Sequence, residues 1–93
     1  SIEGEMLAFL YRNPHSFVQL TAPDPKTKQM ARWAVEWSGG GALAQAGITS
    51  QSLKSGDHVV IVGSPGRNPE DHRLRMRTIF RPKDGWRWGG TVD

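Results

Sequence analysis

Trp33-Ala34-Val35-Glu36-Trp37-Ser38-Gly39-Gly40-Gly41-Ala42-Leu43-Ala44-Gln45-Ala46-Gly47 is the stretch on which the fold turns, because a strand signal gives way to a helix signal inside it. Trp33, Val35 and Trp37 fall on one parity and Arg32, Ala34 and Glu36 on the other, the alternation of a half-buried strand over residues 29–38. Three glycines then stop the strand. Residues 42–46 are strong helix formers, and Gly47 stands where a left-handed residue closes a helix. A strand, a glycine hinge and one short helix are expected in that order.

Upstream, residues 15–22 alternate Ser16, Val18 and Leu20 against Phe17, Gln19 and Thr21, then stop at the turn sequence Pro23-Asp24-Pro25-Lys26. This second strand should form a hairpin with the third. Residues 2–11 carry Ile2, Met6, Ala8 and Leu10 on one parity and Leu7, Phe9 and Tyr11 on the other, as a strand buried on much of both faces does. Between the two lies Asn13-Pro14-His15-Ser16, a sharp corner: Pro14 cannot donate to a ladder, and Asn13 tolerates turn conformations.

Downstream, residues 49–53 suggest a further turn of helix, and Lys54-Ser55-Gly56-Asp57 is a tight turn into residues 58–62, the most β-prone run of the chain. A polar loop over residues 63–71 follows. Residues 73–81 then alternate Leu74, Met76, Thr78 and Phe80, read as inward, with Arg73, Arg75, Arg77 and Arg81, read as outward. Asp84-Gly85 is a hairpin signal, so Trp86-Arg87-Trp88 reads as a short return strand or the start of a tail.

Three strands, a short helix and two strands within 93 residues indicate a single domain, all-β with one short helix. The leading architecture is a small five-stranded antiparallel barrel of the oligonucleotide/oligosaccharide-binding (OB) type, which closes its sheet and removes exposed edges. The alternative is a rolled antiparallel sheet capped by the helix. The expected core is Leu7, Val18, Leu20, Trp33, Val35, Leu43, Leu53, Val59, Ile61, Leu74 and Met76.

The chain holds no cysteine, which excludes disulfides, thiolate metal sites and cysteine nucleophiles within it. No run of about 18 apolar residues offers a membrane span, and the opening residues lack the basic and apolar regions of a signal peptide. Twelve lysines and arginines against 9 aspartates and glutamates give a net charge of +3. The excess gathers late, where Arg67, Arg73, Arg75, Arg77, Arg81, Lys83 and Arg87 face only Glu70, Asp71 and Asp84.

A set of short motifs resembles a family of small bacterial exported proteins built on a domain of unknown function. The motifs are Gly4 in the first strand, Asn13-Pro14-His15, residues 33–36, Ala42-Leu43, and Gly47-Ile48-Thr49 through Ser52-Leu53-Lys54-Ser55-Gly56-Asp57. The resemblance implies a mature periplasmic or otherwise secreted protein and delivers no activity. Members of that family carry a histidine-rich segment after the signal cleavage site; none stands in these residues, so no metal role is carried over from it.

Candidate chemistry is sparse. No Gly-x-Ser-x-Gly elbow and no carboxylate pair in acid/base roles stands out, and Gly39-Gly40-Gly41 lacks the lysine and hydroxyl of a phosphate loop. The chain reads as a non-enzymatic binding module without a cofactor, its partner a small ligand or a protein. Its groove is expected to be lined by Asn13, His15, Arg32 and Glu36, at the corner and along the third strand. Two alternatives are weighed against this. One is single-stranded nucleic-acid binding, with Arg73, Arg75 and Arg77 neutralising phosphates and Trp86 and Trp88 stacking on bases. The other is metal binding through His15, which is disfavoured because His58 and His72, the remaining histidines, stand at no ligand spacing from it. The bland reading of His15 is a corner residue whose imidazole bonds to backbone.

Overall fold

The computed structural model describes residues 1–90. The alternating segments become β1 (Ile2–Leu10), β2 (Phe17–Pro23), β3 (Met30–Glu36), β4 (His58–Pro65), β5 (Arg73–Arg81) and β6 (Trp86–Gly89). The alanine-rich run forms α1 (Gly40–Gln45), and a short 3-10 turn, Pro69–Asp71, lies in the loop before β5. Residues 86–88 are thus a strand, hairpinned onto β5 with Arg81 opposite Trp86.

Neighbouring strands run in the order β3-β2-β1-β4-β5-β6, and an additional β3–β5 pairing closes β1 to β5 into a barrel. The strand order matches the OB-type barrel expected from the sequence. One point is corrected. The closing seam is parallel, with Ala34 opposite Arg73, Val35 opposite Leu74 and Glu36 opposite Arg75, so the barrel is mixed and not wholly antiparallel. The physical reason is chain direction: the crossover through α1 brings β4 back antiparallel to β1, and β5, antiparallel to β4, meets β3 running the same way. β3 and β6 share one edge of β5 in succession, β3 along residues 73–75 and β6 along residues 78–81.

Closing so few strands demands strong coiling, and β1 shows how it is achieved. Residues 2–5 pair with β4 and residues 5–10 with β2, so one strand serves both halves of the barrel. At the bend sits Gly4, buried, where a Cβ would run into the Thr21 carbonyl; a glycine in a strand interior marks this kind of close approach. Beyond it the register slips from Met6 opposite Leu20 to Ala8 opposite Gln19, leaving Leu7 as a bulge residue.

That bulge flips every later side chain to the other face. Ile2 and Met6 point into the core before it, whereas Phe9 and Tyr11 pack on the core after it. Leu7, expected in the core, is 36% exposed instead. β5 repeats the device: Val62 faces Thr78 and Gly63 faces Met76, so Arg77 is the extra residue. Met76 and Ile79 are therefore the buried positions. Three expectations fail for this one reason. Phe80 turns outward with the Arg87 guanidinium over its ring, and Thr78 is only half-buried. Arg81 turns inward instead of outward, bonding the Ser52 carbonyl and the carboxylates of Asp57 and Asp84.

The rest of the core is as expected: Val18, Leu20, Trp33, Val35, Leu43, Leu53, Val59, Ile61 and Met76 are buried, and Leu74 packs against them half-buried. Each such aliphatic side chain, fully buried, contributes roughly 1.5–3 kcal/mol of transfer free energy. α1 lays Leu43 on one end of the barrel, and Gly47 at φ +80° turns the chain so that Ile48 follows it inward. Residues 49–53 do not extend the helix. They form a turn in which Thr49 N–H donates to Ser52 Oγ and Ser52 N–H to the Thr49 carbonyl, and that local side-chain bond competes with helical geometry.

Candidate functional site

The corner between β1 and β2 is a braced structure. The Asn13–Pro14 bond is cis. Ser16, fully buried, accepts from Arg12 N–H and donates to the Arg12 carbonyl through its hydroxyl, while its backbone bonds Ser38 and Trp37. The glycine run presses against this corner: a Cβ on Gly39 would meet the Pro14 carbonyl at 2.5 Å, and Gly41 N–H donates to Asn13 Oδ1. Tyr11 Oη lies 2.8 Å from the Gly40 carbonyl and 3.1 Å from that of Ile48, tying the start of α1 to its end. Asn13 is therefore occupied in holding the corner against α1.

On the outer side of the corner His15 does not bond backbone. Its Nδ1 sits 3.2 Å from Glu36 Oε2, with both side chains partly exposed. The β2–β3 register explains this, since Phe17 lies opposite Glu36 and His15, two residues earlier, reaches the same outer face diagonally. Behind the pair lies a cleft of about 190 Å³, lined by His15, Glu36, Trp37, Arg75, Met76 and Trp88 among others. It opens where β3 leaves the β5 edge and β6 takes over.

Two features of this corner cleft stand out chemically. Arg75 forms no ion pair among the described residues. Trp37 is 4% exposed, and its indole N–H has no hydrogen-bond partner among the described residues. A buried donor left unbonded costs about 1–3 kcal/mol, so it is a group that gains from an acceptor. Trp37 is wedged between Phe9 and Trp88, with Trp88 meeting it edge to face at 5.2 Å.

Of the residues singled out by sequence, the structure brings His15, Glu36, Arg75 and Trp88 to this one cleft. Arg32 does not line it; it is exposed on β3, four residues from Glu36, or roughly 13 Å at about 3.3 Å per residue. Arg73, Arg75 and Arg77 are exposed along β5. Trp86 and Trp88 are half-buried against the core, and Trp86 also carries the Arg81 guanidinium over its ring at 5.4 Å.

A second cleft, of about 270 Å³, lies on the other side of the seam. Its lining includes Ile2, Pro25, Trp33, Pro65 and Leu74, with Lys26 and Arg73 at the margin. Sequence reasoning missed it because its walls come from the loops after β2 and β4 together with the barrel edge. A clasp joins the two loops: His72 Nε2 lies 2.8 Å from Asp24 Oδ2, while Asp24 Oδ1 accepts the N–H groups of Lys26 and Thr27. Thr27 N–H first, then Lys26 N–H and His72 hold the Asp24 carboxyl below its ordinary value. Trp33 is edge-on to His72 at 4.8 Å, and its indole N–H is satisfied by the Ala22 carbonyl.

Each of the chain's three histidines thus faces a carboxylate, the last pair being His58 and Glu3 at 2.6 Å across β4 and β1. No three histidine, aspartate or glutamate side chains gather as a metal site among the described residues. No helix of the described residues is long and apolar enough to cross a membrane.

The motifs behind the family resemblance do structural work wherever their contacts can be followed. Gly4 admits β2's backbone and Ser52 caps its own turn. Leu53 fills the core, and Asp57 binds both Lys54 N–H and Arg81. A pattern made of such residues specifies a fold and leaves activity unstated. No curated protein and no solved structure matches the chain. A family model does match over residues 1–75, that of a family of unknown function (DUF6152), and the chain belongs to that family.

Proposed function

We propose that this barrel is a non-enzymatic binding module of an exported protein, and that the corner cleft receives a small polar ligand or partner group presenting hydrogen-bond acceptors. The carrying observation is that Trp37, whose buried indole N–H has no hydrogen-bond partner among the described residues, lines this cleft together with Arg75, which forms no ion pair among them. Beside these donors the His15–Glu36 pair supplies an acceptor, so a hydroxylated or carboxylated group would meet complementary partners. A binding role is favoured over catalysis because no serine or threonine hydroxyl bonds a histidine among the described residues, and the buried Ser16 hydroxyl is engaged by backbone. Export is supported by the family resemblance and fits a chain without cysteine; fractionating cells that express the full gene tests it.

The binding test follows the Trp37 indole N–H resonance, assigned by its disappearance in Trp37→Phe, during titration with acetate and with glucose. A saturable shift that Arg75→Ala weakens supports the reading. Absence of any shift up to molar ligand, or a shift indifferent to Arg75, removes the corner cleft from consideration.

Nucleic-acid binding is the second reading, favoured by Arg73, Arg75 and Arg77, which are exposed and form no ion pair among the described residues. It is weakened by the half-burial of Trp86 and Trp88, which leaves little ring face for a base. A short single strand bound at low salt and released steeply as salt rises would favour it over the small-ligand reading.

A further inference from the structure

The second cleft differs in kind from the corner cleft and carries an inference of its own. Most of its lining is carbon: Ile2, Pro25, Trp33, Pro65, Pro69 and Leu74, with Ser1 beside them. The polar groups of Trp33 and Asp24 on its lining are already engaged within the fold. Trp33 spends its N–H on the Ala22 carbonyl, so the ring gives the cleft only apolar surface. Asp24, the one carboxylate on the lining, is held by His72 and by two backbone N–H groups. What is left over is positive. Lys26 and Arg73 sit on the margin, exposed, and neither forms an ion pair among the described residues. Glu70 and Asp71 belong to the nearby 3-10 turn but do not line the cleft.

An apolar floor with unpaired cations at one rim selects ligands with the complementary arrangement. We infer that the cleft between the β2–β3 and β4–β5 loops binds a small apolar anion, an aliphatic or aromatic carboxylate whose hydrocarbon part lies on Trp33 and Leu74 and whose charge meets Lys26 and Arg73. Its volume of about 270 Å³ is near the lower bound, roughly 300 Å³, of small-molecule pockets, which restricts the occupant to a short chain or a single ring. The apolar part supplies affinity by leaving water, and the two cations discriminate the anion from its neutral analogue.

Hexanoate and 1-hexanol separate these contributions, having the same chain length with and without the charge. Each is titrated into the protein while the indole N–H of Trp33 and the backbone amides of Gly63 and Leu74 are followed by nuclear magnetic resonance. Hexanoate is expected to give a saturable shift at those positions with an affinity at least ten-fold above that of hexanol. The double variant Lys26→Gln/Arg73→Gln should lower hexanoate to the level of hexanol, with the melting temperature unchanged because both side chains are exposed and unpaired. Equal binding of the two probes, no saturation, or a hexanoate affinity unchanged in the double variant would overturn the assignment. Shifts centred on Trp37 would do the same. Since the corner cleft is read at Trp37 and this one at Trp33, either proposal can fail without the other.

Discussion

The two clefts flank one parallel seam and both draw on β3 and β5, yet they solve their polar bookkeeping in opposite ways. On one side Trp33 has its N–H bonded and the loops are clasped by Asp24 and His72. On the other, Trp37 has a buried N–H with no acceptor among the described residues, and at the mouth lies the partly exposed His15–Glu36 contact. Two tryptophans of the same parity, Trp33 within β3 and Trp37 just past its end, thus stand in contrasting states. The difference teaches that burial alone does not mark a structural residue: Trp33 is satisfied by the fold, and Trp37 is left to be satisfied by something else.

The sharpest way to break that contrast is to make the same substitution at both sites. Trp33→Phe removes a bonded N–H and leaves a void, so a loss of about 2–3 kcal/mol is expected. Trp37→Phe loses comparable volume but also removes an unsatisfied donor, and the two effects offset, giving a change within about 1 kcal/mol of zero. Urea denaturation of both variants measures this. Equal losses would mean that the Trp37 N–H finds a partner in solution and would undo the comparison.

How much of this was legible beforehand follows the regularity of the strands. In β2 and β3 the alternation is unbroken, and Val18, Leu20, Trp33, Val35 and Trp37 all lie inside as the pattern demands. In β1 and β5 a single extra residue shifts the parity; Leu7 sits between apolar residues and Arg77 continues the alternation of Arg73 and Arg75, so nothing local announces the bulge. The mixed apolar parities of residues 2–11 were the trace of it, read as burial on both faces. The corner was legible because Pro14 is a local constraint. Its partner was not, since placing His15 beside Glu36 requires the hairpin register, which sets Phe17 opposite Glu36. The Asp24–His72 clasp, 48 residues apart in sequence, depends on how the barrel closes, and no local pattern encodes that.

The clasp offers a second, smaller test through its pH dependence. The folded-state carboxyl of Asp24 is held below its ordinary value of 3.8, so its contribution is fully present above that value and is lost as pH falls through the lowered one. Asp24→Asn should therefore melt below the parent protein at pH 7, and the gap should narrow as the pH is taken below about 4. Thermal melts of the two proteins from pH 2 to 7 decide it. A gap that stays constant over the whole range would show that the charge of the Asp24 carboxylate contributes nothing to the stabilisation.

The smallest effect belongs to the corner. His15 and Glu36 are 47% and 36% exposed, and ion pairs so open to water contribute 0 to about 1 kcal/mol. His15→Ala should change stability by less than about 0.5 kcal/mol, because the corner is held by Ser16, Asn13 and the glycine run and not by the imidazole. A larger loss, measured by urea denaturation, would turn the pair into a brace equivalent to the Asp24–His72 clasp. The two sides of the seam would then differ only in the state of their tryptophans, and His15 would have no claim left as a binding group.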